Sequence, residues 1–379
     1  MRFGAHYLPT YVPDLDGPAS EFYRRMFRQM DLLDELGFDD VWVTEHHFHE
    51  YGGTIPDPPT FLAAVARTTS RIHLGVAVSV LPLHNPLQAA ESYAMVDVIS
   101  EGRLELGIGR GSTLPEFWSL RVPYDDTAVR MRESAEIIRQ AWSQDSVTFR
   151  GELFDFADVR VFPRPVQRPH PPIWVGASRS DDTFRWAGER GFHLMTLPYM
   201  YEPEVLQHWI GVYRQELDKA GHDPVQREVL GKFHIYVADS MRAAREEAGA
   251  FLENYRVIAD ERMAQSRNAA PGTVRVARPG APRDMDDQAA RGNVIAGDPA
   301  RCIEIIHQWR ELLGLTTISG TFYFGGMPPE LALKNIRLFA ERVAPAFDRH
   351  GPSQAVSGSG ADGVSAKSSS VRTDGAGRP

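Results

Sequence analysis

Apolar residues along this chain fall into two alternating rhythms. Short runs rich in β-branched and aromatic residues recur at 2–8, 40–44, 72–82, 102–112, 173–178, 192–196, 229–238 and within 316–324, as expected of strands buried in a parallel sheet. Between them the apolar positions repeat every three or four residues, which predicts helices over 20–37, 59–69, 86–100, 128–143, 182–190, 202–221, 241–255, 299–313 and 330–344. In the first of these, Phe22, Met26, Met30, Leu33 and Leu36 mark the inward stripe, and Gly37 suits the helix end. A strand followed by a helix, about eight times over, is the pattern of a TIM (β/α)8 barrel.

Three stretches break the rhythm. Residues 147–172 read as an excursion, a hairpin running into a proline-rich approach to the next strand. Residues 265–292, "QSRNAAPGTVRVARPGAPRDMDDQAARG", carry Pro, Gly and charge with little apolar periodicity; so long a loop in a domain is usually a lid or disordered. Residues 351–379 are rich in Ser, Gly and Ala without aromatics, and read as a disordered tail. The expected organisation is one barrel domain over 1–350, with 265–292 as an insertion, and the tail.

Composition narrows the function. With 41 basic and 50 acidic side chains the net charge is -9, which disfavours a nucleic-acid or anionic-membrane partner. The single cysteine, Cys302, excludes an intrachain disulfide and a thiolate metal cluster. The start, "MRFGAHYL", lacks a cationic segment followed by a long apolar run, and no later stretch reaches spanning length. A cytoplasmic enzyme is the expectation.

Barrel chemistry gathers where strands end, so four stretches stand out: "TEHHFHE", "VAVSVLPLHNP", "GIGRGS" and "VGASRS". If the strand persists past Thr44, Glu45, His47 and His49 share one face and His46 the other. The first set could chelate a metal, but the helical H-E-x-x-H spacing is absent, and structural imidazoles with no bound metal are expected. His46, beside a carboxylate at a strand end, is read as an acid–base group. "GIGRGS" does not fit the G-x-G-x-x-G dinucleotide fingerprint. It suits close backbone approach, with Arg110 between Gly109 and Gly111 to grip a phosphate, against the plainer reading of a tight turn with a solvated arginine. Ser178 and Ser180, before a helix, could serve an anion, or Ser180 or Asp181 could only cap that helix. Gly75 and Ala77 thin the barrel wall enough to admit a flat ring, or only aid packing.

Together these stretches resemble the bacterial luciferase-like flavin monooxygenases, over residues 1–350 and in consistent order. The segments "MRFGAHYLPTY", "VWVTEHHFHEYGG", "LGVAVSVLPLHNPLQAAE", "ISEGRLELGIGRGS", "IWVGAS", "WAGERG" and "GDPARCIEII" carry the resemblance. It implies reduced FMN at the mouth of a TIM barrel, and oxygenation of a small organic substrate by O2 through a C4a-peroxyflavin. A separate flavin reductase would supply the cofactor. His46 corresponds to the essential first histidine of the "EHH" motif, with Glu45 or another acceptor setting its tautomer. Arg110, with Ser112 beside it, corresponds to the phosphate arginine, and Gly176, Ala177 and Ser178 to the other side of that phosphate. The peptide joining Ala77 to Val78 corresponds to a cis bond packed on the isoalloxazine. The chain departs from the luciferase at Gly109, where a reactive cysteine stands there, at Ala177, where a glutamate stands, and in a loop after Ser178 two residues longer. Phe48, Tyr51, Phe117, Trp118 and Tyr199 are candidate pocket walls. An F420-dependent oxidoreductase and a non-catalytic flavin-binding partner subunit are the alternatives, and a homodimer is among the open assembly states.

Overall fold

The apolar runs come together side by side as parallel strands. The computed structural model describes residues 1–348 except Val12, Glu50, Tyr51, Arg179 and 269–283. The first strands are β1 (Arg2–Tyr7), β2 (Asp40–Val43), β3 (His73–Val80) and β4 (Leu104–Gly109). An antiparallel hairpin follows, β5 (Val147–Arg150) with β6 (Asp155–Val159), and then β7 (Ile173–Gly176), β8 (His193–Thr196) and β9 (Val229–Val237). The chain ends its strands with β10 (Val294–Gly297) and β11 (Thr317–Thr321).

The eight strands read from the sequence close a parallel barrel in the order β1, β2, β3, β4, β7, β8, β9, β11, the last pairing again with β1. Closure removes the free edges that such a sheet would otherwise expose. The hairpin stands where the rhythm breaks. β10 is an addition: it pairs with the far half of β9 outside the closed ring. Of residues 265–292, the first four complete a helix, Met241–Asn268, that runs past the predicted end at Tyr255, and a short helix forms at Met285–Ala290. Residues 269–283 lie outside the described residues, as do Tyr51 and the tail.

Two apolar clusters hold the barrel. The larger fills the shell between strands and helices, from Phe3 and Val41 to Ile318 and Phe339. The smaller sits inside the lumen, where Trp42, Trp174, Met195 and Leu230 meet, the two indoles 5.3 Å apart edge to face. Gly75 makes that plug fit: a Cβ there would lie 2.1 Å from Trp42 Cε3. The thin wall read at Gly75 therefore receives a ring of the protein's own. Below the plug lies Arg2, bonded to Glu105 at 2.6 Å, Glu228 at 3.0 Å and Asp40 at 3.2 Å. Above it the strands open onto the loops. Among the described residues no helix is long and apolar enough to cross a membrane.

Candidate active site at the C-terminal rim

Strand register places the predicted site residues on one rim. Val43 of β2 is level with Val76 of β3, Val80 of β3 with Gly109 of β4, and Ile108 of β4 with Val175 of β7. His46, Ala77, Arg110 and Ser178 thus leave neighbouring strands at the same end, although up to 132 residues separate them (178 minus 46).

The β2 end divides the histidine cluster by partner. His46 Nδ1 lies 3.0 Å from Glu116 Oε1, in the short helix Leu114–Ser119 that follows β4, and the same oxygen accepts the His47 N–H at 3.2 Å. Glu116 is 1% exposed. The acceptor on His46 is therefore Glu116, which sequence reasoning missed, and not Glu45. A carboxylate at Nδ1 keeps the ring proton there and leaves Nε2 as the basic position.

Glu45 turns away to a second set of partners. Its Oε1 lies 3.1 Å from His47 Nε2 and 2.7 Å from His84 Nε2, while Oε2 accepts from Val80 N at 3.1 Å and Ser79 Oγ at 3.3 Å. Burial alone would raise the Glu45 pKa, but the bonds and charges of His47 and His84 outweigh it and hold it at about 2. Burial likewise opposes the His84 charge, and Glu45 overrides it, raising that pKa. The three ligand atoms of Glu45, His47 and His84 lie within 4.8 Å of one another, close enough for a metal, yet every acceptor position on Glu45 already has a protein donor. A cavity of about 490 Å³ opens beyond this cluster, between His84, Tyr93 and Asp57, and not over the lumen.

β3 ends in an irregularity. The Ala77–Val78 peptide is cis, and the register with β4 shifts between Val76 and Ser79. Val78 settles between two residues that lack a side chain: a Cβ would fall 2.4 Å from its Cγ2 on Gly109 and 2.8 Å from its Cγ1 on Gly176. The next residue of β4's chain, Arg110, is exposed. It donates to Thr127 Oγ1 through Nε (3.3 Å) and Nη2 (3.0 Å) and lies 6.0 Å from the Tyr124 ring. Among the described residues no carboxylate is within ion-pair range of it. Gly111 follows at φ +73° and Ser112 is exposed. Across the β4–β7 pair, Ala177 is buried, Ser178 half-buried, and Ser180 opens the helix Asp181–Arg190 without a side-chain cap. Of the candidate walls, Phe117 is fully buried beneath Gly111, while Trp118 and Phe48 are exposed.

The lumen's open end holds a further group with no counterpart in the sequence reading. Lys232, 4% exposed, donates to Tyr199 Oη at 3.2 Å and lies 5.2 Å from the Tyr199 ring and 5.9 Å from that of Tyr255. His234 is two residues on, 4.3 Å from the Tyr255 ring. His6 lies 3.4 Å from Thr321 Oγ1 and bonds the Ala77 backbone. Burial, and after it the charge of Lys232, holds both imidazoles well below their ordinary pKa. The charges of both Lys232 and His46 act on His6, so both corners lie near it. The signal available was a lysine and a histidine at alternate positions of an otherwise apolar run, "VLGKFHIYV".

Known proteins are similar to this chain over most of its length. The model of the luciferase-like monooxygenase family matches residues 1–316. The oxygenase component of a flavin-dependent trigonelline monooxygenase from Acinetobacter baylyi is 31% identical, over 68% of this chain and 74% of its own. The structure of monooxygenase RslO1 from Streptomyces bottropensis superposes with a TM-score of 0.80 at 32% identity, covering 91% of this chain and 99% of that one. An uncharacterised protein of Sinorhizobium fredii is 38% identical, but over only 47% of this chain and 52% of its own. An F420-dependent glucose-6-phosphate dehydrogenase from Amycolatopsis mediterranei, 27% identical over 60% of this chain and 74% of its own, is also similar.

Proposed function

Because the chain belongs to the luciferase-like monooxygenase family, we propose that it oxygenates a small organic substrate with O2 and reduced FMN, the flavin arriving from a separate reductase. The observation that carries this reading is the shared rim: the His46–Glu116 pair and Arg110, with no carboxylate in range among the described residues, flank the Ala77–Val78 peptide on adjacent strands. The relative from Acinetobacter baylyi, itself the oxygenase component of such a system, supports the two-component arrangement.

The residues fit a flavin mononucleotide. Arg110 offers a guanidinium whose partner is a neutral hydroxyl, suited to a phosphate. Ser112, Ser178 and the uncapped first turn of Asp181–Arg190 add donors, and a helix N-terminus favours an anion. Ala77, Val78, Gly176 and Ala177 form a wall of small residues and backbone for the ring. Glu45 serves that wall indirectly, by holding Ser79 and Val80 in place. When bound, the reduced flavin supplies two electrons, so that one oxygen atom enters the substrate and the other leaves as water. His46, with its proton fixed at Nδ1 by Glu116, accepts or returns a proton through Nε2.

The test is an anaerobic titration with reduced FMN, followed by a pulse of oxygen and a spectral record. Saturable binding and a transient band unlike either oxidised or reduced flavin support the proposal. Binding of reduced F420 in place of FMN, without oxygen consumption, would transfer the chain to the hydride-transfer branch of the relatives, which include an F420-dependent dehydrogenase. Flavin oxidation that yields only hydrogen peroxide with every substrate tried would favour a non-catalytic partner subunit.

A further inference from the structure

Lys232 is a buried ammonium that the reading above does not use. Taking a lysine out of water is costly unless a charge or several hydrogen bonds compensate it. Among the described residues no carboxylate lies within ion-pair range; the partners are the phenols of Tyr199 and Tyr255. The remaining titratable neighbours, His6 and His234, are held neutral, so this corner of the lumen carries one positive charge. The His234 Nε2 is buried without a hydrogen-bond partner. Aromatic rings surround the group: Tyr199, Tyr255 and Phe324 all contact the imidazole of His234.

Resting on the monooxygenase reading, we propose that Lys232 binds the organic substrate through an ionised ring oxygen, so that the substrate is a phenol or enol taken up as its anion. Three features select that chemistry. A single positive charge matches a single negative one. A lysine is a point charge suited to one oxygen, whereas a carboxylate, with two, is best matched by the fork of an arginine. The aromatic surroundings suit a flat ring bearing that oxygen at its edge. The site shares a neighbour with His46, since His6 feels both Lys232 and His46. On binding, the O–H bond of the ligand breaks, its electron pair stays on oxygen, and the proton leaves to solvent.

The experiment uses para-nitrophenol, whose anion has its own absorbance band, titrated into the full-length protein. An ammonium beside the oxygen lowers the bound phenol's pKa by about one to three units, so the probe is ionised at a pH where free probe is largely protonated. In Lys232→Met the bound pKa returns towards that of the free probe, and affinity for the anion falls about tenfold or more per unit lost. Tyr199→Phe, which leaves the ammonium in place, keeps the ionisation with a smaller shift and covers the case in which Lys232→Met fails to fold. Reduced FMN affinity, measured anaerobically on the same variants, stays unchanged. Three results overturn the proposal: a probe that fails to bind or binds protonated, Lys232-dependent binding of para-nitrobenzoate but not of para-nitrophenol, or loss of reduced FMN affinity in Lys232→Met, which would assign the lysine to the cofactor. Failure of the native chain to bind reduced FMN sinks the monooxygenase reading alone, because the probe's spectrum reports on Lys232 independently.

Discussion

Arg2 and Lys232 both project into the lumen of one barrel, on opposite sides of the Trp42–Trp174 plug, and their surroundings differ in kind. Arg2 is ringed by Asp40, Glu105 and Glu228, with His73 3.1 Å from the same Glu105 oxygen. There, burial and the charges of its acidic neighbours outweigh Arg2 and push the Asp40 carboxyl up to about 8. Lys232 faces phenols and neutral imidazoles. A buried cation ringed by carboxylates fits a role in the scaffold; one held at the loop end by phenols, with no carboxylate in range among the described residues, fits the binding role proposed above. The closed end should therefore answer to stability measurements and the open end to binding and turnover.

The sharpest way to break this contrast is His46→Ala, at the open end. A general acid–base group contributes about 10²- to 10⁴-fold in rate, so turnover should fall by that order while the melting temperature and reduced FMN affinity hold. Glu116→Gln should reproduce part of the loss and shift the pH profile of turnover, since Glu116 acts through the His46 ring. An unchanged turnover number in His46→Ala would remove it from the mechanism.

Next is Arg2→Met, at the closed end, where the effect should fall on the fold. It leaves Glu105 and Glu228 buried or half-buried without their cation, and breaking a buried pair in this way costs about 3–5 kcal/mol. Chemical denaturation would show it as a lowered midpoint, and folded survivors should bind reduced FMN normally. A variant of native stability that loses flavin affinity would invert the assignment of the two ends.

How far the sequence foretold these two ends follows from what each residue must satisfy. The barrel was legible because strands buried in a closed sheet are short apolar runs, and "DVWV" and "IWVG" stand out as such. Arg110 and the Ala77–Val78 peptide were reachable through motif resemblance. Lys232 and His234 were hidden because lumen-facing polar residues alternate with apolar ones, as on any half-exposed strand. Glu116 was hidden for a different reason: its helix is six residues long, and its meaning lies in a contact 70 positions back. Gly75 was left open between room for a ring and packing, because no sequence pattern says that Trp42 will occupy it. The helix beyond Tyr255 was cut short because its last turns lack an apolar stripe, although they contain good helix formers.

A smaller effect is expected at Arg110, which is exposed and therefore adds little to the fold. Arg110→Ala should weaken FMN binding by roughly 1.5–3 kcal/mol, the range for a hydrogen bond to a charged group, and leave riboflavin, which lacks the phosphate, unaffected. Comparing the two ligands by fluorescence titration separates loss of the phosphate contact from general damage. Equal weakening of both would move Arg110 away from the phosphate.

The smallest effect tests whether the Glu45–His47–His84 cluster belongs with the scaffold, as Arg2 does. Glu45 has its folded pKa lowered, from 4.5 to about 2, so its contribution is complete above 4.5 and drains away as pH falls through that interval. His84 has its folded pKa raised above 6.5, so its contribution is complete below 6.5 and is lost as pH rises through the folded value. Glu45→Gln should therefore flatten the acid limb of the melting curve against pH, and His84→Asn the limb above 6.5. With about 2–4 °C per kcal/mol expected for mid-sized domains and less for a larger chain, the differences amount to a few degrees. A chelator should change neither limb if the carboxylate and imidazoles hold one another. A chelator-sensitive melting temperature restored by a divalent cation would mean that these three residues hold a metal, and that the cavity beside them gives access to it.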